Sequence, residues 1–147
     1  MTPNKACAVV LRTNRSVPEI LAFRHPHGDC QFVKGSIEVG ESAAEGAARE
    51  LWEEAGLAPA RHVKDLGIWD TDYKGQVWSI HLLAVDQLLP DSWRHTNTDN
   101  GIQVFDFFWH PLDQPAGADW RPVYARALTH IAAELKRNKL PPFSHRS

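Results

Sequence analysis

Three glutamates stand at positions i, i+3 and i+4 of one segment: Glu50, Glu53 and Glu54. On an α-helix, at about 100° per residue, that spacing puts all three carboxylates on one face. For a lone helix this is unfavourable. Like charges four residues apart repel by ~0.2–0.5 kcal/mol per pair, and anions in the last turn oppose the helix dipole by ~0.3–1 kcal/mol each. A cluster of this kind standing alone is ordinarily a solvated acidic surface. A hard divalent cation reverses the sign of both penalties, and Mg²⁺ commonly joins carboxylates to substrate phosphate and water. The chemistry such a bound cation would offer is metal-assisted reaction at a phosphate-bearing substrate.

The helix that must carry them has clear ends. Ser42-Ala43-Ala44-Glu45 matches a capping box, with Ser42 as N-cap and Glu45 reaching back to it. The helix is expected to run to Ala55, stopped by Gly56, with Pro59 beyond. Ala44, Ala47, Ala48, Leu51 and Ala55 form a separate apolar stripe, mostly alanine, so the helix can approach its support closely. Gly46 lies one turn before Glu50 on the acidic face and leaves room beside it.

Around this helix the pattern is that of a sheet. Residues 6–11 are a continuous apolar run, consistent with a buried strand, and 19–23 make a hairpin-like partner across a turn at 14–18. Residues 25–29 read as a loop, and 31–41, with two glycines and few good helix formers, as an ordered loop. Residues 63–73 and 77–85 read as strands joined at Lys74-Gly75, and 87–101 as a long polar loop. The aromatic run 104–109 predicts a strand buried on both faces. Residues 111–122 connect it to an amphipathic helix over 123–136, with Val123, Ala127, Leu128, Ile131 and Leu135 on its apolar side. Residues 141–147 read as a loose tail. The order of elements implies an α/β fold with a mixed sheet and helices packed on its two faces.

Length and composition agree with one domain over 1–147. The net charge of −2 argues against a polycationic nucleic-acid binder, so a metal must neutralise any polyphosphate. Cys7 and Cys30 have neither disulfide-framework nor zinc spacing; Cys7 reads as a buried core residue. The apolar run at 6–11 is too short for a signal peptide, and no stretch reaches the ~20 residues of a membrane helix. The expectation is a cytoplasmic protein, with no membrane partner. No P-loop, Ser-His-Asp pattern, CxxC pair or dinucleotide fingerprint is present.

Gly35 is followed after five residues by Glu41, and after seven more by Arg49-Glu50-Leu51-Trp52-Glu53-Glu54-Ala55-Gly56-Leu57. This resembles the signature of the Nudix hydrolases, G-x5-E-x7-R-E-U-x-E-E-x-G-U with U apolar, at every fixed position. The resemblance implies an α/β/α sandwich that binds Mg²⁺ or Mn²⁺ and cleaves a pyrophosphate linkage in a nucleoside di- or triphosphate derivative. By match to the motif, Glu50, Glu53 and Glu54 would be metal ligands, joined by the backbone carbonyl of Lys34. Arg49 would orient the glutamates, and Glu41 would support them or act as an auxiliary base. Gly35 would serve the backbone at the phosphate site. Arg24 and Lys34 flank that site as candidate substrate contacts. A further base is often drawn from outside the motif; Asp99 is the first candidate and Asp106 the second.

The segment Gln31-Phe32-Val33-Lys34-Gly35-Ser36-Ile37-Glu38 is similar in spelling to the dihydroneopterin triphosphate pyrophosphohydrolase branch. Lys34-Gly35 also resembles dinucleoside polyphosphate hydrolases. Two other readings compete. A Nudix-fold module that binds a nucleotide without cleaving it would be expected to have lost glutamates that are intact here. An RNA-processing role would need a basic path, and the chain has no basic cluster before 136–139. Family members are often dimers, so a homodimer is compatible with the resemblance.

Overall fold

The computed structural model describes residues 1–98 and 101–139. Among the described residues there are eight strands and two helices: β1 Lys5–Asn14, β2 Val17–Arg24, β3 Cys30–Gln31, β4 Lys34–Ser36, α1 Ala43–Ala55, β5 Ala60–Asp70, β6 Val77–Val85, β7 Trp93–Asn97, β8 Gln103–Pro111 and α2 Pro122–Asn138. The sheet runs β5-β6-β1-β2-β8-β7, with β3 added to β2 and β4 to β1. It is mixed: β1 and β6 are parallel, and the other pairs are antiparallel.

The apolar run in β1 is buried on both faces because each face carries a helix. Ala6, Ala8 and Val10 point into the layer that holds Ala47, Leu51 and Ala55 of α1. Cys7, Val9 and Leu11 point the other way, into the layer that holds Tyr124, Ala127, Leu128 and Ile131 of α2. Strand periodicity of two thus divides one segment between two cores. Both cysteines are free and buried.

α1 begins and ends where its caps require. Ser42 Oγ accepts the Glu45 N–H at 3.0 Å, and Glu45 Oε1 accepts the Ser42 N–H at 2.8 Å. Gly56 closes the helix in the left-handed region, at φ 74°.

Three expectations need correction. The segment 31–41 is not wholly irregular: β4 pairs with the first three residues of β1, Gly35 opposite Ala6, while β2 pairs with its last four. The segment 87–101 contains β7, which extends the sheet beyond β8. β8 is not buried on both faces. Phe105, Phe107 and Trp109 are buried towards α1, but Asp106 is exposed and pairs with Arg94 of β7 at 2.8 Å. The reason is position, since β8 lies towards the sheet margin, and on its other face Phe108 and His110 reach the α2-side layer, His110 against Trp120, while Asp106 does not. The predicted tail 141–147 lies outside the described residues.

Candidate active site

The close approach of β4 to α1 builds the site. A Cβ on Gly35 would overlap the Glu50 carboxylate, which is itself buried. A Cβ on Gly46 would lie 2.9 Å from Glu41 Oε1 and 3.4 Å from Ala6 Cβ. Glycine at both positions lets the helix settle on β1 and β4 with acidic side chains in the seam.

Arg49 gathers that seam. Its Nε donates to Glu41 Oε2 at 3.1 Å, and Nη2 donates to Glu41 Oε1 at 2.8 Å. Nη1 donates to Glu50 Oε1 at 2.8 Å and to Glu53 Oε2 at 3.0 Å. Nη2 also reaches the Ser36 carbonyl at 2.9 Å, and Glu38 lies 3.3 Å from Nη1. The Arg49 hydrogen bonds hold the Glu41 carboxyl below the usual carboxylate range. Those with Glu41 first, then Glu50, raise the Arg49 guanidinium still higher. One guanidinium therefore faces the carboxylates of Glu38, Glu41, Glu50 and Glu53, which leaves the seam strongly anionic.

Glu54 stands apart from Arg49. Its Oε1 accepts the Lys34 N–H at 3.1 Å. Burial pushes its carboxyl well above the ordinary range, and the nearby Glu50 charge raises it further. A half-buried carboxylate beside another carboxylate is a setting in which a cation is stabilising. The donors are hard oxygens, and the Gly35 cradle places Glu50 against β4. The residues present fit Mg²⁺ or Mn²⁺ by donor chemistry and charge.

The other sequence-predicted residues are placed differently. The Lys34 ammonium does not join the glutamates: it donates to Gln76 Oε1 at 3.2 Å and lies over the Trp78 and Tyr124 rings, on the α2 side of the sheet. Burial there lowers its pKa. The Arg24 guanidinium is held by the Gly28 carbonyl at 2.6 Å and by Asp119 at 2.7 Å. Asp99 lies outside the described residues.

Sequence reasoning missed β7. Trp93 Nε1 donates to the Ala55 carbonyl at 3.0 Å, and His95 Nε2 lies 3.0 Å from the Glu53 carbonyl. Two carbonyls at the open end of α1 are thereby partnered, next to the residues at issue. Trp52, Glu53, His95, Thr96, Asn97 and Thr98 line a cleft of about 220 Å³ there. The available signal was the alternation Trp93-x-His95 within a polar stretch. Trp93→Phe should keep the stack on Phe107, at 5.1 Å between centroids, but lose the bond to Ala55. A loss of ~0.5–1.5 kcal/mol is expected, read as a lower urea midpoint at unchanged m.

Away from this seam, His62, Asp65 and His81 also bring ligand atoms within 4.8 Å of one another, and could hold a metal ion.

A mixed sheet between two helices, with an arginine-gathered acidic seam on one of them, is an α/β/α sandwich carrying a site suited to a divalent cation. The NUDIX domain model matches residues 1–131, and the chain belongs to the Nudix family. The RNA pyrophosphohydrolase of Psychrobacter sp. (strain PRwf-1) is 32% identical over 152 aligned positions, covering 88% of this chain and 85% of that protein. The ADP-ribose pyrophosphatase of Streptococcus suis 89-1591 superposes with a TM-score of 0.67 at 17% identity, covering 99% of this chain and 98% of that one. The Ap4A hydrolase of C. elegans does so with a TM-score of 0.57 at 17% identity, over 95% and 97% of the two chains. At those identities the two structures establish the fold. The comparisons give no specific support to the dihydroneopterin triphosphate branch. Among the described residues, no helix is long and apolar enough to cross a membrane.

Proposed function

We propose that the chain hydrolyses a phosphoanhydride bond in a nucleoside di- or triphosphate derivative, with Mg²⁺ or Mn²⁺ held by Glu50, Glu53, Glu54 and the Lys34 carbonyl. The observation that supports this most is the anionic seam between α1 and β4, organised by Arg49. Bound there, the metal would neutralise phosphate oxygens and lower the pKa of the attacking water. Arg49 is a positioning residue: its hydrogen bonds are spent on Glu41, Glu50, Glu53 and Ser36 rather than directed outward. Glu41, with both oxygens accepting from Arg49 and its carboxyl held below the usual range, serves to fix Arg49 rather than to take up a proton. Asp106 is engaged by Arg94, which leaves Asp99 as the preferred base from outside the motif.

A second reading has its own support. Three relatives at 31–32% identity carry the name RNA pyrophosphohydrolase, so the triphosphate could be the 5′ end of an RNA. The bond and the metal chemistry are the same; only the groups that grip the rest of the substrate differ. One panel separates the readings. With Mg²⁺ present, nucleoside triphosphates, nucleotide sugars, dinucleoside polyphosphates, pterin triphosphate and a 5′-triphosphorylated RNA are each followed for release of phosphate, pyrophosphate or nucleotide. Turnover of free nucleotides above RNA is the expected result. Preference for the RNA would transfer the assignment to the second reading, and no turnover on any substrate would make the protein a binding module.

A further inference from the structure

His62 and Asp65 lie on β5, an edge strand, and His81 stands directly opposite Asp65 on the neighbouring β6. In a regular strand, residues three apart point to opposite faces. The pairing slips between His62 and Lys64, and again between Asp65 and Ile68. The first slip turns His62 onto the face of Asp65, as an extra residue in a strand must. His62 Nε2, Asp65 Oδ1 and His81 Nδ1 then form a triangle with edges of 3.0, 2.7 and 3.1 Å. Both imidazoles face one carboxylate oxygen and each other. If both donate to Asp65, the contact between the two ring nitrogens carries no hydrogen bond.

We propose that His62, Asp65 and His81 form a second metal site, for a borderline transition cation of the Zn²⁺ type, separate from the glutamate seam. Two imidazoles and one carboxylate suit Zn²⁺, Co²⁺ or Ni²⁺ and disfavour Mg²⁺ and Ca²⁺, which take oxygen. Zn²⁺ bonds of about 2.0–2.2 Å place tetrahedral ligands ~3.3 Å apart, so the triangle needs only slight expansion. Ser79 Oγ lies 2.7 Å from His81 Nε2. With Nε2–H donated to Ser79, the Nδ1 lone pair is left facing the cluster, the usual device by which an outer group orients a ligand histidine. His81 is buried and fixed, whereas the side chains of His62 and Asp65 are 41% and 72% exposed, so an ion can enter and keep water as its remaining ligand. Such an ion would clip the edge strand to its neighbour.

Isothermal titration of the full-length protein with ZnCl₂, in excess MgCl₂, tests this, with CoCl₂ as a spectroscopic probe. One Zn²⁺ per chain is expected, with visible Co²⁺ bands of low coordination number and a raised thermal midpoint. His62→Ala and Asp65→Asn, both at exposed positions, should weaken binding well beyond tenfold, and Ser79→Ala by about tenfold. Glu53→Gln and Glu54→Gln should leave it unchanged. Absence of Zn²⁺ binding, or binding that survives both His62→Ala and Asp65→Asn, overturns the proposal. So does binding abolished by the glutamate variants, which would place the ion in the seam.

Discussion

Glu53→Gln is expected to lower kcat by about 10²–10³-fold, the range found when one preorganised group that stabilises transition-state charge is removed. The fold should survive, because an amide oxygen can still accept the Arg49 Nη1–H that now reaches Glu53 at 3.0 Å. Glu54→Gln should lose activity comparably but behave differently in stability. Its Oε1 contact with the Lys34 N–H can persist, whereas the half-buried charge beside Glu50 is gone. Without metal, this variant should therefore melt at or above the wild-type temperature. Adding Mg²⁺ should raise the wild-type midpoint, since a ligand that binds only the folded state stabilises it. The same addition should move the midpoint of either variant much less. Turnover and differential scanning fluorimetry, each with and without Mg²⁺, measure both effects. Near-normal turnover in both variants would remove the glutamates from the metal site.

The acidic helix was legible because its determinants are local. Ser42, Glu45 and Gly56 set its ends, and the spacing of Glu50, Glu53 and Glu54 needs no knowledge of the rest of the chain. The two-faced burial of β1 was legible too, since residues 6–11 are apolar without interruption. What escaped depends on pairing. β7 has alternating half-buried and exposed side chains at the sheet margin, so its composition resembles a polar loop. The direction of the Lys34 side chain follows from the pairing of Lys34 with Cys7, whose side chain faces α2. No motif encodes that parity. The His62–Asp65–His81 triangle depends on a register slip, which brings together residues that ordinary strand geometry would separate.

Gly35→Ala tests that kind of dependence within the seam. Gly35 is paired with Ala6 on β1, so its backbone is fixed by the sheet, and the added methyl would land on the Glu50 carboxylate. Only two responses are open. Either Glu50 turns away and loses its bond from Arg49 Nη1, or β4 separates from β1. Both displace a carboxylate assigned to the metal, and misplacement by about 1 Å can cost 10²-fold in rate. Overpacking of this kind costs ~1–3 kcal/mol. Stability loss alone would not be diagnostic, so Gly40→Ala is the control. Gly40 has φ 86°, and a methyl added there would have nothing within 4 Å, so alanine is strained but touches nothing. Both variants should unfold at lower urea concentration, but only Gly35→Ala should lose Mg²⁺-dependent turnover and the Mg²⁺ shift in melting temperature. Adding Glu50→Asp should restore part of the stability of Gly35→Ala, because a shorter acid clears the methyl, without restoring the rate. If Gly35→Ala kept full turnover, contact between β4 and Glu50 would not be what positions the metal ligands.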